Sequence, residues 1–422
     1  MTEPSYLKLY HEGELSVRVK KLFEMMESCC LCPRQCGVNR LEGETGFCGT
    51  GRWAKVASYS AHFGEEDPLV GRHGSGTIFL SSCNLLCSFC QNHDISHGAE
   101  GVEVEPEQMA AMMLDLAEKG CHNINFVTPS HVVPQIVEAL IPAVEQGLKV
   151  PLVYNSSGYD ARETLALLDG IFDIFMPDFK FWDEKWAGRF CKAPDYREVA
   201  IEALREMHRQ VGDLRIDDGI AQRGLLVRHL VMPNNVAGSG KIMDFIAKEI
   251  SGSTYTNVMD QYRPCGTADK DEFIGRCLTA EEYSVAVDSA TESGLVHQII
   301  QKNKTEIRAC ALDDVFKTAC ELCPWGCGME VLIKNVHLEK VTGNREHPLN
   351  EGFLCPKGLA LKDFIYAKKR ITHPMKNKNG NWHRITWDEA FDICAEKLHH
   401  IKAAYGPKSL ALAIGMPVLL GG

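Results

Sequence analysis

Eleven of the eighteen cysteines in this 422-residue chain fall into three tight sets, and that clustering constrains the fold more than any other feature. Cys29, Cys32, Cys36 and Cys48 form the first set. Cys83, Cys87 and Cys90 form the second, in CNLLCSFC. Cys320, Cys323, Cys327 and Cys355 form the third. The outer two share one pattern, Cys-x2-Cys-Pro-x2-Cys-Gly, in CCLCPRQCG at 29–37 and CELCPWGCG at 320–328. The start of the chain, MTEPSYLKLYHEGEL, has no basic segment leading into an apolar one and no twin arginine. Nothing in it directs export, so the expected location is the cytoplasm. Closely spaced cysteines in such a chain read as metal ligands rather than disulfides. The scattered remainder (Cys30, Cys121, Cys191, Cys265, Cys277, Cys310, Cys394) reads as small buried hydrophobes.

The length exceeds one ordinary core, which predicts two or three domains. An apolar content of 45% with 24% charged residues fits a soluble globular protein. No apolar run spans a bilayer, which argues against a membrane protein. A net charge of −11 argues against a general binder of nucleic acid or of membrane surfaces, which would need excess positive charge.

Three segments are expected. Residues 1–70 hold the first cysteine set among Gly and polar residues (GVNRLEGETGFCGTG) and read as a loop-rich, metal-stapled module. Residues 71–305 alternate strand and helix patterns. The strands are predicted at 77–81, 123–127, 151–155, 172–176, 225–231 and 254–259. EPEQMAAMMLDLAEKG, with Pro106 in the first turn and Gly120 as a stop, and PDYREVAIEALREMHRQVG read as helices. Short apolar strands separated by helices mean βαβ units with parallel pairing. The fold class is therefore α/β, a partial (β/α)6 barrel, with chemistry gathered at the C-terminal ends of its strands. Residues 306–422 start afresh as a smaller α+β module, with a cysteine turn, two short strands, a helix capped by Thr386 and Glu389, and a further strand at LALAIG (410–415). The stop at PVLLGG, just as an α/β unit begins, reads as a truncation of a longer domain.

Cys83, Cys87 and Cys90 supply three thiolates from one loop directly after a strand. A [4Fe–4S] cluster normally takes four. With no fourth cysteine nearby in sequence, one iron keeps an open position for a substrate or cofactor. A zinc knuckle would need another ligand, such as His93. CNLLCSFC, with Phe89 before the third cysteine, resembles the signature of the radical S-adenosylmethionine (radical SAM) enzymes. The surrounding GSGTIFLSSCNLLCSFCQNHDIS, CCLCPRQCGVNR and NFVTPSH resemble the branch that includes the pyruvate formate-lyase activating enzymes, over about 1–300. The resemblance implies a partial (β/α)6 barrel and chelation of the open iron by the amino and carboxylate groups of S-adenosylmethionine. It also implies reductive cleavage to a 5′-deoxyadenosyl radical that abstracts hydrogen. Cys83, Cys87 and Cys90 become the catalytic cluster ligands. Many members carry Gly-Gly-Glu after the second strand; here the position reads Val127-Thr128-Pro129-Ser130-His131, and Thr128, Ser130 and His131 are the candidates to hold the methionine end. At the ends of later strands, Asn155, Ser156, Asp178, Lys180, Arg228, Gln261 and Tyr262 are candidate pocket residues. Asp178 and Lys180 stand out because charges right after an apolar strand point into the barrel mouth.

The first set has four thiols, complete for structural zinc or for a [4Fe–4S] cluster. Its likeness to the turn at 320 favours iron–sulfur. The last set also closes a four-thiolate shell. Together with NREHPLNEGFLCPKG and RITWDEAFD, it resembles the N-terminal [4Fe–4S] module of the molybdopterin oxidoreductases, formate dehydrogenase among them, over 313–422. That resemblance implies electron transfer from the cluster to a bis-molybdopterin guanine dinucleotide, with Lys357 between the two, though only in a longer chain. Two or three [4Fe–4S] clusters and S-adenosylmethionine are thus the expected cofactors. The expected partners are an electron donor of flavodoxin or ferredoxin type and a glycyl radical enzyme or small-molecule substrate. The competing readings are an oxidoreductase component whose main role is electron relay, and a non-catalytic zinc protein.

Overall fold

The computed structural model describes residues 3–300, 314–320, 326–334, 337–348, 350–367, 370–371, 373–378, 380–406 and 409. The chain divides into two compact units, Met1–Ala309 and Cys310–Gly422.

The first unit is built on one sheet. Its strands are β1 (Ala54–His62), β2 (Ser75–Leu80), β3 (Val102–Val104), β4 (Ile124–Val127), β5 (Leu152–Asn155), β6 (Ile174–Phe175), β7 (Arg215–Asp217), β8 (Ile220–Leu230), β9 (Tyr255–Met259) and β10 (Gln298–Ile300). The order is β10-β9-β8-β6-β5-β4-β2-β1-β3, with β7 in a hairpin against β8. From β2 to β10 every neighbour along this path is parallel. This is the expected α/β fold. All six predicted strands are present, and β10 adds a seventh parallel member that the short QII run did not announce.

Both faces of the parallel strands are covered, as parallel pairing requires. Phe126, Tyr154, Phe175 and Leu225 are register partners on the outer face. They join the main apolar core with helices such as Pro106–Glu118, Val133–Glu145 and Tyr196–Val211. Pro106 opens its helix at the first position and Gly120 follows its end, as the pattern predicted. Thr77, Asn125, Val153 and Ile174 are partners on the inner face. There Val153, Ile174, Met176 and Leu226 form a second, smaller cluster with Leu69.

The first 70 residues lie in this same unit. They hold more regular structure than a loop-rich stretch: helices Ser5–His11 and Glu14–Glu27, and strand β1, which pairs antiparallel with β2. The attachments are specific. Ser5 donates from its backbone N–H and its hydroxyl to Asp173 Oδ1, at 2.9 and 2.8 Å. Tyr6 donates to the Val150 carbonyl at 3.0 Å. Arg40 is 1% exposed. It donates to Gly51 O at 3.2 and 2.9 Å and to His131 O at 2.8 Å, and it lies 3.9 Å from Cys29 Sγ. A buried guanidinium survives only when its donors are met this fully.

The second unit has a three-stranded antiparallel sheet, Asp314–Ala319, Gly328–Lys334 and His337–Gly343, so one strand precedes the two expected. It also has a hairpin, Met375–Lys378 with Asn381–Arg384, and the helix Trp387–Tyr405, whose Thr386 cap accepts from Glu389 N–H at 3.1 Å. The strand expected at 410–415 lies outside the described residues. Among the described residues no helix is long and apolar enough to cross a membrane.

Arg40→Met should cost about 3 kcal/mol, because the Gly51 and His131 carbonyls lose their buried donors. A drop in the urea midpoint at unchanged m-value would show it; an unchanged midpoint would refute it.

Candidate active site

The loop after β2 carries the central thiols. Cys83 and Cys87 are buried and Cys90 is half-buried. Two non-glycine residues in the loop, Ser82 (φ 73°) and Leu86 (φ 53°), take left-handed backbone conformations. Such conformations persist only where the surroundings over-determine them. The turn at Leu86 aims amides at sulfur. Cys83 Sγ accepts from Leu85 N–H at 3.3 Å and also from Leu86 N–H. Cys90 Sγ accepts from the Ser96 hydroxyl at 3.2 Å and from Asn92 N–H.

Burial pushes the Cys83 thiol up to about 12 and raises Cys90 as well. Cys87 is raised first by its hydrogen bond with Cys191 and then by burial. Dry sulfurs supplied with donors suit a bound metal, whose charge deprotonates its thiol ligands outright.

A charged group lies near the loop, with Lys180 and Asp178 close enough to act on Cys87. Arg228, on β8, donates from Nε to Asp178 Oδ1 at 2.8 Å and from Nη2 to Asn155 Oδ1 at 2.7 Å. Its Nη1 lies 3.5 Å from Glu65 Oε2. Lys180 pairs with Asp178 Oδ2. The side chains of Asp178, Lys180 and Arg228 are 15–17% exposed, so they stay reachable from the mouth. Burial works to raise the Asp178 carboxyl, but Arg228 and Lys180 outweigh it and hold it below its ordinary value. Burial works to lower Lys180, but Asp178 raises it, and Cys87 adds to the effect. Burial raises the Glu65 carboxyl against the pull of Arg228. Gly158 makes the close packing feasible. Its φ is +75°, and a Cβ there would lie 2.2 Å from the Asp178 carbonyl.

The other predicted residues divide. Thr128 (φ 63°) donates its N–H to Asn155 O at 2.9 Å, beside the charged group. His131 is buried, with Nε2 2.9 Å from Ser81 O, so it braces the start of the cysteine loop; its Nδ1 has no partner. Ser156 turns instead to Asp160 Oδ2 (2.6 Å), in a buried network with Tyr154. Ser130 is buried next to the same pair. Tyr262 donates to Ile274 O at 2.7 Å, and Gln261 accepts from Gln91 at its backbone. Inside the barrel, Asn125 is fully buried and neither amide atom finds a partner. Orphaned polar atoms of this kind fit a cavity shaped for a polar ligand.

Sequence reasoning missed three participants. Glu65 gave only the weak signal of an acidic pair in a polar stretch. Cys191, read as a buried hydrophobe, lies with Sγ 3.4 Å from Cys87 Sγ. Arg34, inside the first cysteine set, donates from Nε to Asn84 O at 2.9 Å, from Nη2 to Cys191 O at 3.0 Å and from Nη1 to Lys192 O. Its guanidinium also stacks 3.9 Å from the Phe47 ring centre.

The first set is itself close-knit. Burial pushes Cys32 up to about 12, with Cys48, Cys29 and Cys36 near enough to add to the shift. Phe47 N–H donates to Cys36 Sγ at 3.3 Å. Among the described residues no three His, Cys, Asp or Glu side chains converge on a point for a single ion. Thiolates on a cubane each take a different iron, so they need no common point.

In the second unit, Cys355 caps the helix Pro356–Leu359. The N–H groups of Gly358 and then Lys357 hold its thiol below the usual value. Gly358 packs toward Cys320 Sγ, and Cys320 N–H donates to Cys327 O at 2.8 Å. Cys323 lies outside the described residues.

The model of the radical SAM superfamily matches residues 77–217. That of the molybdopterin oxidoreductase Fe4S4 domain matches 313–367, and that of molybdopterin oxidoreductase 370–419. The Uncharacterized protein MJ0674 of Methanocaldococcus jannaschii is 32% identical over 292 residues, 67% of this chain and 79% of that protein. The Putative formate dehydrogenase SAV2309 of Staphylococcus aureus is 37% identical over 95 residues, 22% of this chain and 10% of that protein. A solved structure described as native anSMEcpe with bound AdoMet shares 10% identity at a TM-score of 0.37, covering 66% of this chain and 78% of that one, too slight a likeness to bear on the site. The chain belongs to the radical SAM superfamily, in the family of the Methanocaldococcus protein, and is an iron–sulfur enzyme. Behind that domain it carries the Fe4S4 module of the molybdopterin oxidoreductases, about a tenth of the length of the formate dehydrogenase relative.

Two buried histidines give the first unit a pH dependence. Burial lowers His131 and His229 to about 4 each, below about 6.5 in the unfolded chain. The unfolded state therefore binds more protons between those values. Stability should fall as pH drops from about 6.5 toward 4, by about 3 kcal/mol per histidine. Urea midpoints at pH 7.5 and 5 should differ less in His229→Gln than in the unaltered protein; equal differences would refute this.

Proposed function

We propose that the first unit generates a 5′-deoxyadenosyl radical from S-adenosylmethionine and passes it to a partner substrate, as an activase-like protein acting on a glycyl radical enzyme. The observation that carries this reading is the loop of Cys83, Cys87 and Cys90 at the end of the first parallel strand, with amides turned onto its sulfurs. A [4Fe–4S] cluster there, when bound, supplies the electron that splits the sulfonium. The chain's own residues do the rest. The inner-face Asn125 and the strand ends at Thr128 and Asn155 offer polar contacts to the ligand. Asp178 and Glu65, set against Lys180 and Arg228, form a charged wall with both signs present, which can meet a zwitterionic amino acid. Ser130, His131 and Ser156 support the wall and loop from behind.

We assign the first cysteine set to a second [4Fe–4S] cluster, with structural zinc as the alternative, and the last set to a third that relays electrons. The donor is of flavodoxin or ferredoxin type. A reading in which relay is the main task rests on the second unit's match to the formate dehydrogenase relative. There Lys357 would stand beside a molybdopterin guanine dinucleotide supplied by a longer chain.

Anaerobic protein reduced with dithionite should release 5′-deoxyadenosine from S-adenosylmethionine, and Cys87→Ala should abolish that. Turnover persisting in the variant would remove the radical assignment. Three cubanes should give about twelve irons per chain; about eight irons with one zinc would move the first set to structural zinc.

A further inference from the structure

Each sulfur of the central loop has its own donor. Cys83 takes backbone amides, and Cys90 takes an amide and the Ser96 hydroxyl. Cys87 takes the thiol of Cys191, with the two Sγ atoms 3.4 Å apart. Two thiolates at that distance would repel, so one sulfur of the pair keeps a proton. A metal strips the proton from the thiol it binds. With Cys87 in the ligand set, the proton stays on Cys191, and Cys191 donates. Several contacts hold it in place. Cys191 ends the helix Glu184–Cys191, and the chain then turns through Lys192 in a left-handed conformation (φ 53°). Ser88 N–H, inside the central loop, donates to Phe190 O at 2.8 Å. Arg34, inside the first loop, donates to Cys191 O at 3.0 Å and to Lys192 O. A helix end normally leaves such groups to water or a glycine cap. The Cys191 side chain itself is fully buried, so water does not stand in for its S–H.

We propose that Cys191 is a positioning residue for the radical site: its S–H donates to the Cys87 thiolate and sets the reduction potential of the cluster bound there. This rests on the radical reading of the barrel. Reduction adds negative charge to a cluster and its sulfurs. A donor on one of those sulfurs favours the reduced form and raises the potential. The bond is strengthened because its acceptor is ionised and its surroundings are dry. No bond to iron changes and no proton is transferred. The thiol meets the charge that the incoming electron brings, and the cluster becomes easier for the partner donor to reduce.

The test measures the midpoint potential of the anaerobically reconstituted full chain beside Cys191→Ala and Cys191→Ser, each checked for folding by circular dichroism and for iron content. Electron paramagnetic resonance follows the component of the reduced spectrum that changes when S-adenosylmethionine is added, which belongs to the site with the open iron. Cys191→Ala should make reduction about tenfold less favourable, a downward shift of about 59 mV for one electron. Cys191→Ser keeps a donor and should restore part of that shift. Components that ignore S-adenosylmethionine should keep their potentials in all three proteins. The infrared S–H band of Cys191, moved to lower frequency by the bond, should vanish in both variants. Equal potentials in the three proteins, or a shift in Cys191→Ala that Cys191→Ser does not reduce, would overturn the proposal and return Cys191 to packing. If the unaltered protein neither responded to S-adenosylmethionine nor released 5′-deoxyadenosine, the radical reading would fall instead. Should Cys191→Ala not fold, the infrared difference between the unaltered protein and Cys191→Ser decides, and an S–H band at the frequency of a free thiol refutes the bond.

Discussion

Burying charge at the end of a parallel sheet is the constraint around which this molecule is organised. An isolated ion in such a place costs several kcal/mol, and removing one partner of a buried pair costs about as much. The first unit meets that cost with an interlocked set. Arg228 satisfies Asp178 and Asn155 and approaches Glu65, while Lys180 takes the other oxygen of Asp178. The result is close to electrically balanced, so it can face a cofactor carrying both charges. The sulfurs across the mouth obey the same rule with backbone amides and a serine hydroxyl in place of cations.

Arg34 extends this logic between segments distant in the chain. One guanidinium joins the first cysteine loop to the carbonyl of Asn84, next to Cys83, and to the corner that bears Cys191. Arg40 does the same behind the site, tying the first loop to His131 and through it to Ser81. The first 70 residues thus serve as part of the wall of the barrel mouth.

The second unit obeys a more local rule. Cys355 sits at a helix start, where free N–H groups favour the thiolate. The three-stranded sheet gathers Cys320 into one small apolar cluster with Met329, Leu338 and Leu354, and Cys327 packs against it. Such a module needs little core of its own, because bound metal supplies folding energy that a small apolar cluster cannot.

Much of this was written locally. The spacing Cys83-x3-Cys87-x2-Cys90, the apolar runs at 124–127 and 152–155, and Pro106 at its helix start are local signals, and local signals fix local structure. The position of Asp178 and Lys180 after a buried strand singled them out, and the two pair with each other. Other features were beyond such reading. Ser156 comes directly after Asn155, the last residue of its strand, yet it turns to Asp160, because neighbouring residues at a strand end point to opposite faces. Helix Glu14–Glu27 was hidden by a polar composition and shows itself only through Leu15, Leu22 and Met26 against the core. That three thiols sit in one loop at the end of a strand follows from local spacing alone. That Cys191, Arg34 and Glu65 come near that loop and the charged group beside it depends on how distant helices and strands pack, and no spacing records such contacts.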